Sequence, residues 1–153
     1  MHSARIRSIL AQMTPAEKLG QLQIIFRPNL DDAAALVREG IGSVFWPQSA
    51  VASNALQREA VENTRLGIPI LIGLDVIHGQ RTIAPVPLGQ AASFDPAMVE
   101  HLARTAAREA RSGGVTWTFS PMIDVSRDPR WGRVVEGFGE DVHLNAVMGA
   151  AMV

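Results

Sequence analysis

The spacing of apolar positions changes period several times along the chain, and each change marks an element. Thr14-Pro15-Ala16-Glu17 places a hydroxyl at an N-cap, proline at the first helical position and a carboxylate at the third. That is a capping box and predicts a helix start, with Leu19, Leu22 and Phe26 on one face of the helix that follows. A short helix is expected from Asp31 to Glu39, with Asp31 or Asp32 near its N-cap and Gly40 as its stop. The stretch from Ile41 to Trp46 reads as a strand, and Ser53 to Leu66 as a helix closed by Gly67. Pro69 to Asp75 is a nearly unbroken apolar run, as expected of a parallel strand covered on both faces. A polar, proline-rich loop spans roughly residues 76–94. Asp95-Pro96 opens a helix whose Met98, Leu102, Ala106 and Ala110 recur every fourth position until Gly113-Gly114. Val115 to Phe119 is the third strand, a long loop follows to about Glu140, and Asp141 caps a last helix running to Val153.

This order, β-α-β-α-β-α after a helical segment, predicts an α/β fold with a parallel sheet and right-handed crossovers. The loops after the second and third strands are much longer than usual for such units. Both leave the carboxyl ends of strands, where α/β barrels and doubly wound sheets bind ligands. The last helix stays small and apolar through Gly149-Ala150-Ala151-Met152-Val153 without a C-cap signal. Three parallel strands alone would leave two open edges, so the expectation is part of a larger fold rather than a finished three-stranded domain.

Composition narrows the chemistry. The 153 residues are 47% hydrophobic and 19% charged, which argues against disorder. Fourteen Lys and Arg against 15 Asp and Glu leave a net charge of −1, so no global field draws nucleic acid or an anionic membrane. Without cysteine, disulfides, thiolate metal sites and cysteine nucleophiles are excluded. The N-terminus lacks the apolar run of a signal peptide, and no apolar stretch approaches the roughly 18 residues of a membrane span. A chain without nucleic-acid or membrane partners is expected, while localisation and oligomeric state stay open.

Two segments concentrate functional side chains. In Gly73-Leu74-Asp75-Val76-Ile77-His78-Gly79, Asp75 sits at the carboxyl end of a buried strand. An ionised carboxylate there can accept from adjacent hydroxyls of a sugar ring, or it can cap the loop or pair with a structural arginine. His78 could touch a ligand, although its apolar flank favours a hydrogen-bonded core histidine. His2, His101 and His143 have no metal-ligand spacing, and no metal site or cofactor is expected.

The second segment, Ser120 to Asp141, packs acids, arginines and the Trp131 indole together. Charged forks that hold hydroxyls and a ring that covers an apolar sugar face suit carbohydrate. Asp124, Arg127, Asp128 and Arg130, taken singly, are better read as an Arg–Asp network ordering a long loop. Gly137-Phe138-Gly139 does not continue as a dinucleotide fingerprint, and Glu140-Asp141 would repel phosphate.

At these segments the chain resembles glycoside hydrolase family 3, of the β-glucosidase and β-xylosidase type. The resemblance rests on Met13 to Leu22, Leu66-Gly67-Ile68-Pro69, Gly73 to Gly79, Pro87-Leu88-Gly89 and Ala91 to Pro96. It continues through Arg108-Glu109-Ala110, Asp128-Pro129-Arg130-Trp131-Gly132-Arg133, Glu136-Gly137 and Gly139-Glu140-Asp141, in family order across nearly the whole chain. It implies the N-terminal part of a (β/α)8 TIM-type barrel, about three βα units over residues 1–153 after an N-terminal helical segment. The rest of the barrel and an α/β sandwich domain would be absent. It further implies hydrolysis of terminal non-reducing β-D-glucosyl or xylosyl residues with retention, on a β-linked oligosaccharide or glucoside. By motif, Asp75 matches the aspartate that binds hydroxyls of the non-reducing-end sugar, and Arg133 matches the arginine that holds the same sugar. Arg130 and Glu136 match motif positions without a sugar contact. The family's Lys-His pair, nucleophilic aspartate and acid/base glutamate fall beyond residue 153, so this chain carries no catalytic residue on that reading. The alternative is a non-catalytic sugar-binding or interaction domain.

Overall fold

The computed structural model describes residues 2–26, 29–45, 47 and 49–153. Trp46, the last position of one expected strand, lies outside them. The chain folds as two compact units: residues 1–74 with 113–117, and residues 75–112 with 118–153.

The first unit opens with α1 (His2–Gln12) and α2 (Pro15–Gln21), followed by β1 (Ile24–Phe26), α3 (Leu30–Arg38), β2 (Ser43–Phe45), α4 (Ala50–Glu62) and β3 (Leu71–Leu74). Strand β1 pairs with β2, and β2 with β3, all parallel, in the registers Ile24–Ser43–Leu71 and Phe26–Phe45–Gly73. With β4 (Trp117–Thr118) the order is β1-β2-β3-β4. The core is made where α3 and α4 bring Ala33, Val37, Leu56 and Ala60 onto Val44, Ile70 and Ile72. Burying each of the larger aliphatic side chains contributes roughly 1.5–3 kcal/mol.

The α/β class and the parallel pairing are as the sequence predicts, but the first strand is not. The helix opened by Thr14 ends at Gln21, and Phe26, expected on its face, lies instead in β1 (Ile24–Phe26). Leu19 and Leu22 are consequently exposed. The cause is a close approach: a Cβ on Gly20 would lie 2.4 Å from the Gly40 carbonyl oxygen, and one on Gly42 would lie 2.6 Å from the Gln21 Cα. Gly42 N donates to Gly20 O at 2.9 Å across that contact, turning the chain out of α2 into the sheet. Smaller boundaries also move. Asn29, not Asp31 or Asp32, caps α3 by accepting from both of their amides. Ser49 caps α4, and Ser53, expected at its start, is buried and donates through Oγ to the Gly113 carbonyl at 2.9 Å.

The second unit holds α5 (Pro87–Ala91), α6 (Pro96–Ser112), a 3-10 turn (Val134–Glu136) and α7 (Val142–Met152). Helix α5 stands inside the stretch read as loop. Asp95 caps α6 through Met98 N, and Asp141 caps α7 through Leu144 N, both as expected. Val99 and Met148 close around Phe138 and Ala91, so the end of the long loop is itself a core anchor.

Candidate functional site

Asp75 is the residue that follows β3, and it is exposed beside the buried Ile72, Gly73 and Val76. Among the described residues its side chain takes part in no hydrogen bond or ion pair. It neither caps the loop nor closes on a structural arginine, and its acceptor lone pairs remain available.

The segment after Asp75 is tied down by its own unit. Ala84 N donates to His78 O at 2.8 Å, and Gly79 bridges Ile83 in antiparallel fashion. Gly79 takes a φ of 120°, and a Cβ there would meet Thr82 O at 2.1 Å, so glycine is required at this turn. Glu109 on α6 then grips the tip. Its Oε2 accepts from the amides of Arg81 and Thr82 at 2.8 Å each, and its Oε1 from the Thr82 hydroxyl at 2.7 Å. These three donors hold its carboxyl below the usual carboxylate range. Sequence reasoning noted Glu109 only as part of a motif; its partners lie 27 and 28 residues away, beyond any local pattern.

The second long loop is fixed from the other side. Asn145 on α7 donates through Nδ2 to Gly139 O at 3.1 Å and Asp124 O at 3.4 Å, and Ser126 N also donates to Gly139 O. Asp128 and Arg130 form a local fork, with Nε–Oδ1 at 2.9 Å and Nη2–Oδ2 at 2.7 Å. This is the structural reading of that pair. Each raises the tendency of the other to stay charged: the Asp128 carboxyl is pushed down and the Arg130 guanidinium up. Asp124 and Arg127 are exposed and make no side-chain ion pair among the described residues.

Arg133 begins the 3-10 turn, whose amides bond back in steps of three: Val134 to Trp131 and Glu136 to Arg133. Its Nε and Nη2 both donate to Glu136 Oε2, at 2.9 and 2.5 Å, and Nη2 lies 3.5 Å from Met122 Sδ. Its guanidinium is held further toward the charged form, first by Glu136 and then by the fields of Asp75 and Asp124. The Glu136 carboxyl is pushed down by Arg133, with burial opposing and His78 adding a smaller pull in the same direction. Asp75 and Arg133 thus share one electrostatic neighbourhood within the second unit without closing on each other. Among the described residues the buried His78 Nδ1 has no hydrogen-bond partner, so the satisfied core histidine expected there is not what this nitrogen shows.

Parallel strands joined through helices, with long loops leaving their carboxyl ends, are the arrangement of barrel-type α/β folds. Residues 14–153 match the glycosyl hydrolase family 3 N terminal domain, and the chain belongs to that family. It is 41% identical over 98% of its length to a periplasmic beta-glucosidase of Salmonella typhimurium, and 32% identical over 94% to a putative beta-xylosidase of Formosa agariphila. It spans 20% and 22% of those relatives' lengths. In structure it superimposes over its whole length on 23% of a beta-glucosidase from Listeria innocua solved in complex with glucose, with a TM-score of 0.90 and 37% identity. No helix among the described residues is long and apolar enough to cross a membrane.

Proposed function

We propose that this chain supplies the hydroxyl-binding side of the −1 subsite of a retaining β-glucosidase- or β-xylosidase-type hydrolase. Asp75 accepts from hydroxyls of the terminal non-reducing sugar, and Arg133 donates to the same ring. The observation that carries the reading is an Asp75 carboxylate at a strand end, unpaired among the described residues, within the field of a guanidinium that Glu136 already anchors. Glu136 anchors the Arg133 guanidinium before substrate arrives, and the Asp75 acceptors are open to the ring. Their bonds strengthen as the ring shifts toward the oxocarbenium-like transition state.

The two carboxyl groups that break the glycosidic bond come, on this reading, from the protein beyond residue 153. Residues 1–153 would then be part of the barrel domain and would not hydrolyse substrate alone. Glu136 is no substitute. A general acid for this reaction needs a raised pKa, and Glu136 is pushed the other way by its bond to Arg133.

The test is hydrolysis of 4-nitrophenyl β-D-glucoside by the complete gene product. Asp75→Ala should lower kcat/KM by a factor on the order of 100 or more, as expected for losing charged hydrogen bonds to substrate. Unchanged kcat/KM in that variant would sink the assignment. Saturable glucose binding with no turnover by the complete product would favour the non-catalytic alternative.

A further inference from the structure

The geometry points to Glu136 as a positioning residue that fixes the Arg133 guanidinium by its Nε–Nη2 edge and leaves Nη1 to meet a ligand hydroxyl. The inference rests on the proposed sugar-binding role of Arg133 and adds how that arginine is aimed.

An unheld arginine side chain samples many rotamers and must give up that freedom on binding. Here two donors converge on the single oxygen Glu136 Oε2, at 2.9 and 2.5 Å, while Met122 Sδ stands 3.5 Å from Nη2. Among the described residues Nη1 makes no hydrogen bond. The support is itself held. Glu136 closes the 3-10 turn that Arg133 opens, through its amide to Arg133 O at 3.0 Å. Two residues further on, Phe138 is buried against Val99 and Met148. The carboxylate side chain is half as exposed as the arginine's, 28% against 51%, so the anchor lies beneath the group it aims. Glu136 thereby acts only through Arg133, and this separates it from a sugar contact or a general acid.

A double-mutant comparison in the complete gene product tests this with 4-nitrophenyl β-D-glucoside. Glu136→Gln in the otherwise native protein should lower kcat/KM by about tenfold or more, chiefly through KM. In an Arg133→Ala background the same substitution should change nothing further. An equal loss in both backgrounds, as a purely structural role would give, overturns the inference, and so does no loss in the native background. If Arg133→Ala alone leaves kcat/KM intact, the sugar-binding reading fails instead. A second readout does not depend on turnover. The Arg133 Nε–H resonance, assigned by its disappearance in Arg133→Lys, should be resolved and slowly exchanging with Glu136 present, and broadened by Glu136→Gln. A resonance unmoved by that substitution overturns the inference whatever the kinetics show.

Discussion

Glu17 shows how one carboxylate serves two neighbours. Its Oε2 accepts from Thr14 N at 2.7 Å, and its two oxygens accept from Arg65 Nε and Nη2 at 2.9 and 2.6 Å. Arg65 Nη2 also donates to Gln12 O at 2.8 Å, so the ends of α1 and α2 are joined to the segment after α4. These bonds hold the Glu17 carboxyl at about 2, against 4.5 unperturbed. A folded-state pKa below the unfolded one contributes stability that is present above the unfolded value and is lost as pH falls toward the folded one. Glu17→Gln should therefore flatten the decline of Tm between about pH 4.5 and 2 relative to the native chain. Parallel declines for both proteins would refute the linkage. The capping half of this arrangement was legible because Thr14 and Glu17 stand three positions apart. The Arg65 half was not, since its partner lies 48 residues away and no local period announces it.

Among the elements, the turn from α2 into β1 is where local pattern and tertiary packing disagree. Leu19, Leu22 and Phe26 fit a helical face as well as Ile24 and Phe26 fit one side of a short strand, and three residues are too few for alternation to decide. What decides is packing against a distant turn, where Gly20 and Gly42 let α2 and the chain entering β2 approach backbone to backbone. A Cβ on Gly42 would fall within 3 Å of the Gln21 Cα, carbonyl carbon and carbonyl oxygen, all main-chain atoms that cannot swing aside. Gly42→Ala should cost about 1–3 kcal/mol, read from the denaturant midpoint, because overpacking must shift the backbone. A midpoint equal to that of the native chain would show that the backbone approach at Gly42 tolerates a methyl group. By contrast α6 and α7, with capping aspartates and long apolar spacing, were readable directly.

For the whole molecule, legibility divides by chemistry. The parallel α/β class followed from the order of patterns. Asp75 and Arg133 were picked out by resemblance and by the position of Asp75 at a strand end, yet nothing in the residues announced Glu136 as the arginine's anchor or Glu109 as the clamp on the 81–82 tip. The Glu109 contacts are set by tertiary placement, and the Glu136 contact by a local 3-10 turn that no apolar period announces. The sheet order also puts β1 at one margin, and its outward positions Ile24 and Phe26 are 44% and 53% exposed. Leu71 of β3, in the same row as Ile24, is 49% exposed, but Ser43 of β2 between them is buried, so the two exposed apolar positions stand apart. A marginal strand with an apolar face is a template for association. The isolated 153-residue chain should therefore self-associate with rising concentration in sedimentation velocity. Ile24→Lys should reduce that association while leaving the thermal transition in place, since Ile24 lies outside the buried core of the first unit. A native chain that stays monomeric at every concentration tested, with one sharp cooperative melt, would mean that this face needs no cover and would favour the self-contained sugar-binding domain.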